Sequence, residues 1–147
     1  MDFTIPEEWV AFGDALIRFI DREVAPLEQK NRALLASERT VFGEDGRYVP
    51  EVLALRRQVR MMSAENGFYT ALSAESLGGG GLPAQAAVYI QDRLNAHVGP
   101  TRHLVHTVVL PSPFTNGLSP VLKHLDPRCS SNTTTELRMG TRHCASA

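Results

Sequence analysis

Residues 78–81 are four consecutive glycines, set in the middle of a chain whose other segments repeat at helical period. A run of this kind cannot lie inside a stable helix, because glycine loses more backbone freedom on ordering than any other residue. It suits a segment in left-handed or extended geometry, where another backbone or a ligand can come close. Leu77 and Leu82 flank the run, which predicts a loop over residues 73–83 pinned by an apolar residue at each end. The loop divides the chain into a helical hairpin before it and a second group of helices after it.

In the first half, Trp9, Phe12, Leu16, Phe19 and Ile20 recur at helical spacing, with Val10, Ile17 and Val24 widening the apolar arc. Thr4 and Glu7 stand in capping-box spacing, so this helix is expected to begin near Thr4. Pro26 disfavours helix at Ala25 and predicts a stop or kink there. Residues 27–36 are expected to continue as a frayed helix, and residues 42–48, containing Gly43 and Gly46, as a loop. A second helix is predicted from Val49–Pro50, with Val52, Leu55, Val59 and Met62 as its stripe and Asn66–Gly67 as its end. Arg56, Arg57 and Arg60 form a small basic patch. The simpler reading is a solvated helix face, and the other is a site for a phosphate-bearing ligand.

After the glycines, Pro83 opens a helix striped by Ala87, Ile90, Leu94 and Val98 and closed by Gly99–Pro100. Residues 101–110 read as a short apolar helix with Leu104, Val105, Val108 and Val109 on one side. Asn116–Gly117 is a turn signal, and residues 121–125 are expected to form one or two helical turns. No period-two strand pattern occurs, so the fold class is all-α, a helical bundle. From residue 128 the character changes. The segment is rich in Ser, Thr and Arg, holds both cysteines and has only Leu137 and Met139 as large apolar residues. Residues 1–127 are thus read as one helical domain and residues 128–147 as a divergent, disordered or loosely docked tail.

The chain has 147 residues, 43% of them hydrophobic and 21% charged, enough for one domain with a real core. A net charge of −1 gives no electrostatic case for nucleic acid or an anionic membrane as partner. No apolar run approaches the roughly 20 residues of a membrane span. The amino-terminus lacks a basic region followed by an apolar core, so a cytoplasmic location is expected. The glycine run lacks the Lys-Ser/Thr of a phosphate-binding loop, and no nucleophile-elbow motif is present. His103 and His106 have the i,i+3 spacing of one metal edge, without a third ligand at a matching position. Glu65 and Glu75 lie near glycine-rich sequence and read as solvated loop carboxylates.

Four segments carry a resemblance to a known family. They are F-I-D-R-E-V-A-P-L-E (residues 19–28), L-R-R-Q-V-R (55–60) with its exit to Gly67-Phe68-Tyr69, A-E-S-L-G-G-G-G-L (74–82), and G-L-S-P-V-L-K-H-L-D-P (117–127). In order and spacing they resemble the amino-terminal helical domain of acyl-CoA dehydrogenases. The third stands where that family has P-E-E-Y-G-G-x-G-L, with Leu77 in place of the tyrosine. The fourth stands where it has G-x-x-P-I-L-x-x-G-T. The resemblance covers residues 3–127 and then ends, which leads to the expectation of a truncated or frameshifted product, inactive alone.

The resemblance implies FAD as the cofactor and acyl-CoA as the substrate of a complete enzyme, which oxidises the thioester across its α and β carbons. The proton-abstracting carboxylate and most flavin contacts belong to later domains of that family. No residue here matches the base, so no catalytic, flavin-binding or metal-binding residue is assigned. The helix before the fourth segment supplies part of the acyl-pocket wall, which points to Val109, Ser112 and Asn116 as substrate-lining candidates; the alternative is that they are core or loop residues. Two rival readings stand beside this one. One is a stand-alone helical module that associates with itself or another protein through the face normally covered by further domains. The other is a fragment that binds acyl-CoA without turnover.

Overall fold

The stripe of the first segment becomes a helix whose start is set by proline. In the computed structural model, which describes residues 4–100, 102–112, 118–119, 122, 124 and 127–141 (backbone alone over 127–132), α1 spans Glu7–Phe19. It opens directly after Pro6, whose ψ of 135° holds the preceding chain extended, rather than near Thr4. Glu7 and Glu8 occupy the first turn, where the helix dipole favours acidic side chains.

Pro26 does not stop the helix. Ala25 keeps helical dihedrals (φ −60°, ψ −42°), and its N–H reaches back to Ile20 O through a π-helical turn over Ile20–Val24. Helix α2, Ala25–Lys30, then runs on. Pro26 has no N–H to donate and its ring crowds the preceding turn. A π turn, one residue wider, accommodates both without breaking the axis. The helix ends at Asn31, whose Nδ2 donates to Leu27 O at 2.8 Å, so the expected continuation to residue 36 is a series of turns instead. A short helix α3, Glu38–Val41, follows, capped reciprocally by Ser37 and Thr40. The loop at 42–48 is closed by a bridge between Phe42 and Tyr48, whose rings stack with centroids 4.6 Å apart.

Helix α4, Pro50–Glu65, starts and ends where the sequence placed it, with Asn66 at its end and Gly67 at φ +79°. Helix α5, Ala84–Val98, follows the glycine loop and packs along α1. Arg93 ties the pair by donating to Asp14 Oδ1 at 2.7 Å, and His97 Nε2 lies 2.9 Å from Asp21 Oδ1. Between these helices Leu16, Phe19, Ile20, Val59, Ile90 and Leu94 are buried, and Phe68 wedges against Phe12 and Phe19 with centroids 5.4 and 5.3 Å away. Helix occupies 58% of the described residues and no strand occurs among them, so the fold is all-α.

The glycine loop lies against residues 70–74. Gly79, Gly80, Gly81 and Leu82 donate to Ala74, Thr70, Ser73 and Ala71 carbonyls at 3.1, 3.0, 2.8 and 3.1 Å. Glycine is needed along the run for two different reasons. A Cβ on Gly79 would lie 2.3 Å from Ser73 O, while Gly81 has φ +66°. Leu77 and Leu82 are half-buried on either side.

Three further expectations are corrected. Residues 103–109 form successive turns rather than a helix, because Thr107 takes φ +60° and breaks the helical path. Leu104, Val105, Val108 and Val109 are all buried, so the segment is core on more than one side. Arg56 and Arg60 are buried, at 7% and 9% exposure, and only Arg57 of the basic patch is solvated. Lastly, the segment expected to be disordered or loosely docked carries a helix, α6, over Pro127–Arg138. Its described contacts lie at its carboxy-terminal end. Leu137 is 2% exposed, Arg60 Nε donates to Gly140 O at 3.3 Å, and a Cβ on Gly140 would meet Arg60 O at 2.7 Å. A buried leucine and a glycine close against backbone anchor it, contacts that a count of apolar residues does not register. The turn expected at 116–117 and most of the helical turns expected at 121–125 lie outside the described residues.

Candidate functional site

Residues 102–112 run between α4 and α5 without a helix of their own, so many of their carbonyls need donor partners from elsewhere. Side chains supply donors. Ser63 Oγ donates to Val109 O at 2.6 Å, and Gln91 Nε2 donates to Leu110 O at 3.2 Å. Arg56 donates to His103 O and, at 3.3 Å, to Thr107 Oγ1. Helix α4 therefore holds one edge of the segment and α5 the other. This fixes the direction in which the chain leaves the core at Pro111.

At that exit an open groove of about 700 Å³ lies between the glycine loop and α5. Leu72 and Leu82 form one wall, Ala87, Val88 and Gln91 the other, and Ser112 closes one side. The small side chains of Ala84 and Ala87 leave the space, and the glycine loop holds Leu82 over it. Val88 is 72% exposed, unusual for a large aliphatic residue. The groove is mostly apolar, with polar groups at Gln91, Asp92, Asn95 and Ser112, so it suits a hydrocarbon chain or an apolar side chain better than a charged ligand.

The three residues singled out from the sequence are not brought together. Ser112 lines the groove. Val109 is fully buried in the central cluster and does not line it. Asn116 lies outside the described residues. Leu72, Ala87 and Val88 line the groove without having been read as lining residues. Leu82 was noted as a flank of the glycines and Ala87 as part of a core stripe. Val88 was detectable as an apolar residue off that stripe.

Burial shapes the electrostatics of α4. Desolvation lowers the Arg56 pKa from its ordinary value, against a smaller opposing effect of Tyr48 and Tyr69. Desolvation likewise lowers that of Arg60, Tyr69 opposing and the neighbouring Arg56 and Arg57 adding to it. His106 Nε2 donates to Gly99 O at 2.7 Å, and the His103 ring meets Phe42 edge-on at 6.2 Å. Among the described residues no group of three His, Cys, Asp or Glu side chains is placed to hold a metal ion. No described helix is long and apolar enough to cross a membrane. The chain matches no protein-family profile, no curated protein and no solved structure in comparisons with each.

Proposed function

We propose that this chain is an amino-terminal helical domain of the acyl-CoA dehydrogenase type, and that its groove is one wall of a pocket for a fatty acyl chain. The observation that carries the reading is the apolar groove at Ser112, beside the glycine loop that resembles the family's G-G-x-G-L segment. The all-α architecture agrees with it. In a complete enzyme of this type, FAD accepts hydride from the β carbon after a carboxylate removes the α proton. The residues of this chain contribute only the positioning of the acyl chain, so alone it binds without turnover.

The test is calorimetric titration with octanoyl-CoA, together with visible absorption spectra before and after addition of FAD. Saturable binding that is lost in Val88→Glu, without a flavin band that bleaches, supports the reading. A bleaching flavin band would show that the chain builds a working site, and no binding of octanoyl-CoA would overturn the acyl-wall assignment. The second reading is a helical interaction module, favoured by Val88 at 72% and Leu53 at 47% exposure. On that reading the groove seats an apolar side chain of a protein partner or a second copy, and sedimentation would report self-association.

A further inference from the structure

Arg56 is a buried cation whose observed partners are all neutral. Its Nη1 donates to the His103 carbonyl, its Nη2 to the Thr107 hydroxyl at 3.3 Å, and its guanidinium lies 4.5 Å from the centroid of the Tyr48 ring. Among the described residues no carboxylate forms an ion pair with it; the pairs there are Arg22–Glu23, Arg47–Asp45, Arg93–Asp14, His97–Asp21 and Arg102–Glu28. Taking a charge out of water is costly unless an opposite charge or strong acceptors replace the solvent. Arg56 borders an open cleft of about 600 Å³, the side from which an anion can reach it.

The lining of that cleft combines donor-bearing side chains with Leu35, Ala36 and Pro100. Arg102, His103 and His106 line it, as do the hydroxyl-bearing Ser37 and Thr107. Two carboxylates stand near. Glu28 is engaged by Arg102, whose Nε donates to Oε2 at 2.7 Å, and Glu38 lines the cleft from an exposed position. Thr107 adds a second, independent sign. It is the one non-glycine residue among those described with positive φ, at +60°, and a β-branched residue in that region is strained. The strained turn sets the Thr107 hydroxyl against the guanidinium.

We propose that this cleft binds the phosphate group of a small phosphomonoester, with Arg56 as its central cation and the His103 imidazole and the hydroxyls around it as further donors. A tetrahedral phosphate offers three oxygens in different directions, which matches donors arriving from α4, from the turn at 102–107 and from Ser37. A planar carboxylate offers two. The cleft is larger than a phosphate ion, leaving room for the organic part of the ester. It shares no lining residue with the apolar groove, so the two assignments stand or fall separately.

The test is nuclear magnetic resonance titration of the full chain with inorganic phosphate, at ionic strength matched with sodium chloride, following the Arg56 side-chain Nε–Hε signal and the Thr107 amide. Both signals are expected to move saturably. His103→Gln, which leaves α4 intact, is expected to weaken the apparent affinity on the order of tenfold, the scale of one lost hydrogen bond to a charged group. Arg57→Gln, on the solvated face of the same helix turn, is expected to leave it unchanged. No saturable shift, equal weakening by Arg57→Gln, or a response to acetate as strong as that to phosphate would each overturn the proposal.

Discussion

Replacing Gly79 by alanine is expected to unlock the loop on which the fold turns. The added Cβ would lie 2.3 Å from Ser73 O, 2.5 Å from its carbonyl carbon and 2.6 Å from its Cβ. The first two are backbone atoms and cannot swing aside, so the loop must lift from residues 70–74. Four hydrogen bonds cross that contact, from Gly79, Gly80, Gly81 and Leu82. At about 1 kcal/mol net for each bond, losing two to four of them costs about 2–4 kcal/mol. Against a total stability of about 5–15 kcal/mol that is a large loss. Gly67→Ala separates steric approach from backbone strain. Gly67 has φ +79° with nothing within 4 Å of its would-be Cβ, so its cost is the left-handed strain alone, about 1–2 kcal/mol. Urea unfolding followed by the fluorescence of Trp9, the single tryptophan, gives both values. If Gly79→Ala costs no more than Gly67→Ala, the close approach does not hold the loop and the reasoning fails.

Ser63→Ala leaves the Val109 carbonyl without its 2.6 Å donor at a fully buried position. A loss of about 1–3 kcal/mol is expected, read by calorimetry as a drop in Tm of roughly 2–12 °C; an unchanged Tm would show that this bond does not fasten the segment. Leu137→Ala should release α6 by removing its buried anchor, at about 2–5 kcal/mol if the site cannot collapse. Amide exchange is expected to accelerate in Pro127–Arg138 while α5 stays protected, and uniform acceleration would contradict local docking. Val88→Glu, at a 72% exposed position, should change folding stability by no more than about 0.5 kcal/mol. The same variant should weaken octanoyl-CoA binding tenfold or more, and unaltered binding would place the ligand elsewhere.

The helices that bury a single face were legible in the sequence. Val52 and Val59 on α4, and Ile90 and Leu94 on α5, repeat at helical period, and each lies buried where the stripe put it. The ends of α4 were legible too, because proline and glycine act on the backbone locally. The segment at 103–110 was not. Its apolar residues sit at helical spacing, yet Thr107 at φ +60° turns the chain, and the carbonyls are satisfied by Ser63, Gln91 and Arg56 from elements far away in sequence. Propensity within a window carries no information about such donors.

The same division applies to the candidate sites. Ser112 was singled out only through the family resemblance, and the wall formed by Leu72, Leu82 and Val88 comes from two elements meeting across the glycine loop. The order of helices, the all-α class and the need for a backbone approach at residues 78–81 follow from local physics: periodicity of apolar side chains, and the conformations open to proline and glycine. Whether an arginine is solvated depends on what covers it. Arg57 and Arg60 are three residues apart on one helix; Arg57 is exposed, while Arg60 is buried where the chain at Gly140 reaches it. Desolvation is a property of the assembled surroundings, so only the tertiary structure decides which of these cations face water and which are left to seek an anion.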